Sequence, residues 1–198
     1  MTPSLPRLLL LGLLTSLLVA CTTTGGRLAK AGQATDLQGL QVQSELDWTR
    51  IKGYRIELWT IDGPQLNSLF IVAKIKPGEQ VLRASAKQSK SRPDGAWYRQ
   101  GMRPDAIRDT ILDAMRAQGW DDVSSSNFRP HQFGDVPGMR FDVRQTSGDG
   151  LIYGGSVAAF EHDGMLNVLY WYAPLEHYHP RDVAAVNQML DAVRLDSP

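Results

Sequence analysis

The sequence predicts an α+β fold, a single antiparallel β-sheet packed by two main helices. Three observations predict it. Segments of alternating or continuous hydrophobicity recur with short turns between them, two in the first half of the chain and three in the second. Two longer segments, at about 104–118 and 180–194, place apolar residues at helical spacing. The loops between the last three strands are too short for parallel crossovers, so those strands pair antiparallel.

The elements follow in order. Tyr54, Ile56 and Leu58 alternate with Arg55 and Glu57, and Trp59 and Ile61 follow, which reads as a half-buried strand. Asp62-Gly63-Pro64 supplies turn chemistry. Leu69 to Ile75 is nearly continuous apolar sequence, ended by Lys76-Pro77-Gly78, so this second strand of a hairpin is the more central one. A further strand is expected around residues 41–48. Pro104 opens the first helix, with Asp105 at the positive end of its dipole and Ile107, Ile111, Ala114 and Met115 on one face. Gly119 ends it, and Trp120 stands where a hydrophobic residue closes a Schellman cap on Met115.

A meander comes next. Met139, Phe141 and Val143 alternate with Arg140, Asp142 and Arg144. Residues 151–160 form a strand rich in small residues, including Gly154, Gly155 and Ser156, which invites close approach of a helix. His162-Asp163-Gly164 signals a hairpin into a strand from Met165 to Tyr172. Pro180 opens the second helix, whose apolar stripe is Val183, Val186, Met189, Leu190 and Val193.

The N-terminus is of another kind. Arg7 is the only charge in the first twenty residues, Leu8 to Leu18 is broken only by Gly12, Thr15 and Ser16, and Leu18-Val19-Ala20-Cys21 follows. A basic start, a short apolar core and small residues before a cut site make a secretory signal. The apolar run falls short of the ~20 residues that span a bilayer. Leu18-Val19-Ala20-Cys21 resembles the lipobox of bacterial lipoproteins. That resemblance implies cleavage before Cys21, diacylglycerol on its thiol and acylation of the new amine. Thr22 is not the aspartate that family associates with inner-membrane retention, which implies the outer membrane, facing the periplasm. The expected organisation is a signal peptide at 1–20, a lipidated N-terminus and flexible glycine-containing tether at 21–36, and one α+β domain at 37–198.

Removing residues 1–20 takes away Arg7, leaving 20 basic against 21 acidic side chains. A near-neutral domain excludes a globally basic nucleic-acid binder. Cys21 is the only cysteine. Once lipidated it leaves no thiol for catalysis, disulfides or metal ligation. No catalytic signature is present. Gly154-Gly155-Ser156-Val157-Ala158 lacks the last glycine of a nucleophile elbow, and Gly148-x-Gly150 lies in a hairpin turn. No cofactor is expected beyond the lipid on Cys21.

Three features remain. His177-x-His179 beside Glu176 is a weak metal candidate that needs His131 or His162 as a third ligand. Residues 83–103 carry Arg83, Lys87, Lys90, Arg92, Arg99 and Arg103 against Asp94 alone, with Trp97 and Tyr98 among them. Lys87, Lys90, Arg92, Trp97, Tyr98 and Arg99 are therefore the candidate interaction surface, toward anionic headgroups or an acidic partner. Tyr170, Trp171 and Tyr172 put aromatic rings on both faces of the last strand. The order of hairpin, helix, antiparallel meander and closing helix resembles the PsbP/Mog1-type fold, the similar stretch being about Phe133 to Leu195, a short-loop meander with Asp163-Gly164, an apolar strand, an Ala-Pro step and a closing helix. That resemblance implies an assembly or binding module rather than an enzyme. The expected function is thus a non-catalytic, protein-binding envelope lipoprotein held at the membrane by its lipid, with a small-ligand or metal carrier as the alternative.

Overall fold

The computed structural model describes residues 26–82 and 95–195. Cys21, Lys87, Lys90 and Arg92 lie outside the described residues. In chain order the elements are β1 (Arg27–Ala29), β2 (Ala34–Leu37), β3 (Leu40–Gln43), β4 (Trp48–Lys52), β5 (Glu57–Thr60), β6 (Ser68–Ile75), α1 (Pro104–Ala117), β7 (Asp121–Phe133), β8 (Val136–Thr146), β9 (Ile152–His162), β10 (Met165–Pro174), α2 (Tyr178–Asp191) and β11 (Arg194–Leu195). Eight strands make an antiparallel sheet in the order β1-β4-β5-β6-β10-β9-β8-β7, and β11-β3-β2 make a small second sheet. Both expected helices and the hairpin-plus-meander sheet are present. The small sheet is an addition to them.

The large sheet is covered on both faces. α1 packs on one, over Tyr98, Phe141, Val157, Val168 and Tyr170. α2 and the small sheet pack on the other, over Trp48, Trp59, Leu69, Phe160 and Trp171. Two covered faces explain why β9 and β10 read as nearly continuous apolar sequence rather than alternating. The α1 terminus has the expected Schellman geometry. The Trp120 amide donates to the Met115 carbonyl at 3.4 Å, the Gly119 amide to Arg116 at 3.0 Å, and Gly119 has φ +93°. Asp163 and Gly164 both have positive φ, as the tight β9–β10 hairpin requires.

Three expectations are corrected. Residues 27–37, expected within the tether or at its border, are largely strand: β1 pairs with β4 and β2 with β3, so their backbone groups bond to the body. Around the β4–β5 hairpin the buried face is the opposite of the one expected. Glu57 and Trp59 are buried, while Tyr54 is 82% exposed in the turn. The buried Glu57 is tolerated because its carboxylate accepts from Arg50 Nε at 2.6 Å and from Trp59 Nε1 at 2.9 Å. β7 was not expected at all. It is the outer strand, mostly exposed and polar, so it carries no hydrophobic pattern to detect.

Candidate functional site

The basic–aromatic segment splits where it enters the described chain. Tyr98 is fully buried and belongs to the core under α1, which corrects its place on an interaction surface. Its hydroxyl donates to Glu161 Oε2 at 2.6 Å, and the Gly101 amide donates to the same oxygen at 3.2 Å. Burial, then the hydrogen bond to Glu161, raises the phenol well above its ordinary range. Trp97 is half-buried and bridges to Gln80, while Arg99 is exposed. The aromatic pair pins the segment's end to the sheet rather than presenting two free rings, because the backbone of 78–81 pairs with 96–98.

The histidines occupy separate environments. The exposed His177 sets its ring edge-on to Tyr178 at 5.0 Å and takes the N-cap position of α2, without a side-chain capping bond. His179 stacks on Trp171 at 5.2 Å. Burial lowers its pKa, with Asp142 pulling the other way. His131 approaches the Asp191 carbonyl at 3.1 Å, and His162 lies beside Asp163. Among the described residues no group of three or more His, Cys, Asp or Glu stands together as a metal site would need.

The small residues of β9 do what their size predicts. A methyl group on Gly154 would sit 2.6 Å from both His179 Cδ2 and Leu175 Cδ1, so only glycine lets the start of α2 lie down on the sheet. Two polar clusters then fasten the helix. Trp171 Nε1 donates to Asn67 Oδ1 at 2.9 Å, Asn67 Nδ2 donates to Asp182 Oδ2 at 2.5 Å, and Arg181 bridges Asp182 to Asp62. Arg140, with no exposed surface, donates to the Val157 carbonyl at 3.0 Å, to Asn187 Oδ1 at 2.7 Å and to Asp191. Neither Arg140 nor Asp182 was expected to be structural. Alternation alone assigns Arg140 to solvent; the signal that could have found it is that the sheet needs cover on both faces.

The aromatic strand resolves as alternation requires. Tyr170 and Tyr172 pack with Phe70 and Trp120 under α1, and Trp171 faces α2. All three are buried. A concave surface of about 370 Å³ lies instead between the small sheet and α2, lined by Gln41, Gln43, Glu45, Gln188, Met189 and Arg194 with three alanines. It combines amides, one carboxylate, one guanidinium and a thioether floor.

No protein-family model matches this chain, and no curated protein does. Solved structures do resemble it. Cyanobacterial PsbP (CyanoP) from Synechocystis sp. PCC 6803 aligns with TM-score 0.57 at 10% identity, over 91% of this chain and 99% of that one. The Saccharomyces cerevisiae Ran-binding protein Mog1p aligns with TM-score 0.52 at 11% identity, over 84% of this chain and 96% of its own. LpqN of Mycobacterium tuberculosis, described as involved in cell envelope biogenesis, gives TM-score 0.43 at 10% identity, over 86% and 91%. The first two establish the PsbP/Mog1-like fold that the element order implied; at such identities they establish the fold alone.

Proposed function

We propose that this chain is an envelope lipoprotein, anchored through lipid on Cys21 and facing the periplasm from the outer membrane, whose domain is a non-catalytic module that binds a protein partner. The observation that carries the binding role is the use to which the polar side chains are put. Arg140, Asp182, Asn67 and Tyr98 are all engaged in holding helices and loops to the sheet, whereas the groove between the small sheet and α2 sets the exposed Glu45, Gln188 and Arg194 around the buried Met189. The anchor reading rests on the lipobox. Among the described residues no helix is long and apolar enough to cross a membrane.

Photo-crosslinking residues placed at Gln43 and Gln188 test the binding role in cells. A specific protein captured from both positions supports it. No captured protein, together with a small molecule that co-purifies, overturns it in favour of a carrier. The groove volume favours that second reading, since it falls within the range of small-molecule pockets, about 300–1,000 Å³. Incorporation of labelled palmitate that is abolished by Cys21→Ala tests the anchor.

A further inference from the structure

We propose that the end of the large sheet formed by β1, β4 and the β4–β5 turn lies on an anionic lipid surface, with Arg27 and Lys52 at the phosphates and Leu28, Ile51 and Tyr54 in the headgroup layer. The proposal rests on lipid attachment at Cys21.

The starting observation is exposure that packing does not account for. Strand register pairs Leu28 with Thr49 and Ile51 with Leu58, so these four side chains share one face of the sheet, the face that α1 covers nearer β7. Here it is open: Leu28 is 57% exposed and Ile51 42%, and Tyr54 is the tip of the turn. Large apolar side chains clustered on an exposed edge mark a contact surface. Tyrosine is a side chain favoured at the membrane–water boundary.

The charges point the same way. Arg50 and Arg55 are paired with Glu57 and Glu79, which neutralises those two carboxylates. Arg27 and Lys52 form no ion pair among the described residues. Lys52 stands opposite Glu57 in the register, but that carboxylate is already bonded to Arg50 and Trp59. By the same register Arg27 and Lys52 stand on the face opposite Leu28 and Ile51, so the end of the sheet carries two cations on one face and the apolar side chains on the other. Basic side chains beside an anionic leaflet are attracted at close range, within the screening length of salt.

Chain length fixes which end can reach the membrane. β1 is an outer strand of the sheet, and Gly26, just before it, is five residues from Cys21. Fully extended, that separation spans at most about 18 Å. A domain of this size is roughly 40 Å across. A leash shorter than half that width keeps the Arg27 end of β1, beside Lys52 and Tyr54, near the headgroups. It leaves the β8–β9 hairpin at 147–150 on the far side of the sheet and at its other end.

Because lipidated Cys21 presents no thiol, an introduced cysteine is the only reactive one in the chain. The lipidated protein is reconstituted in vesicles of phosphatidylglycerol and phosphatidylethanolamine that carry brominated acyl chains. A fluorophore on Tyr54→Cys is expected to be quenched several-fold more than one on Gly148→Cys. Adding Arg27→Gln and Lys52→Gln to the Tyr54→Cys protein should lower the ratio of docked to lifted molecules by about 25-fold, about fivefold for each cation. Equal quenching at the two positions, with Cys21 of the parent protein resistant to thiol reagents, would overturn the orientation while leaving the anchor intact. A parent protein that reacts at Cys21 overturns anchor and orientation together.

Discussion

Arg140→Ala is the most informative perturbation of the scaffold. The guanidinium is buried where β8 meets α2, donating to a β9 carbonyl and to Asn187 and Asp191 on the helix. Burial lowers its pKa to about 10 even though Asp191 pulls it upward, so at neutral pH it stays charged and the cost of burying it exceeds that one attraction. Truncation to alanine removes the methylene stem and all the donors. Breaking a buried pair and leaving a hole costs about 3–5 kcal/mol. In a chain of this length that corresponds to a fall in Tm of roughly 6–20 °C. Arg140→Met keeps the stem and discards the buried charge. Asp191 is 45% exposed and can be rehydrated, which leaves mainly the unpaired Asn187 and Val157 oxygens, at about 1–3 kcal/mol. Urea titration followed by circular dichroism gives both values. Equal losses for the two variants would refute the claim that burial cost offsets pairing. A loss below about 0.5 kcal/mol for Arg140→Ala would refute the role of this residue as the clip between helix and sheet.

The other predictions concern the same interface and its edges. Gly154→Ala forces a methyl group against His179 and Leu175 and should cost about 1–3 kcal/mol, whereas Gly148→Ala, with open space around it, should stay within about 0.5 kcal/mol; thermal melts of the pair check the contrast. Burial lowers the pKa of His179, so the fold favours the neutral ring. Its contribution is fully present above its ordinary value of 6.5 and is lost as the pH falls below that. His179→Phe should therefore flatten the decline of Tm between about pH 7 and pH 5, and an unchanged slope would assign that decline to other groups. Tyr98→Phe removes the donor to Glu161 and should cost about 1–2 kcal/mol in a urea titration. A neutral result would mean that the Gly101 amide alone satisfies that carboxylate.

Elements with a strong period or a strong stop signal are legible in the sequence. α1 was readable because Pro104, Asp105, Gly119 and Trp120 mark both ends by local chemistry. The β9–β10 hairpin was readable because Asp163-Gly164 suits a turn that needs positive φ at both positions. β7 was not, since most of its residues are exposed and polar and it is held by its pairing with β8, with only Val123 and Phe133 buried. Arg140 was misassigned because alternation reports two faces without saying which of them is covered. Tyr98 was misassigned because its neighbours in sequence are basic, while its neighbours in space are the apolar residues under α1.

Local sequence by itself determined the α+β class, the ends of α1 and the tight hairpin, because each depends on residues within a few positions of one another; it missed the ends of α2, which runs Tyr178–Asp191 rather than from Pro180 to 194. Tertiary structure alone decided that the sheet has two covered faces, that Arg140 and Asp182 hold α2 rather than face water, and that the aromatic residues of β10 are core. It also placed Gly26 at the sheet edge that carries Leu28, Ile51 and Tyr54. Those facts depend on which distant segments pack together, and packing is set by the summed burial of the whole chain, which no short stretch of sequence contains.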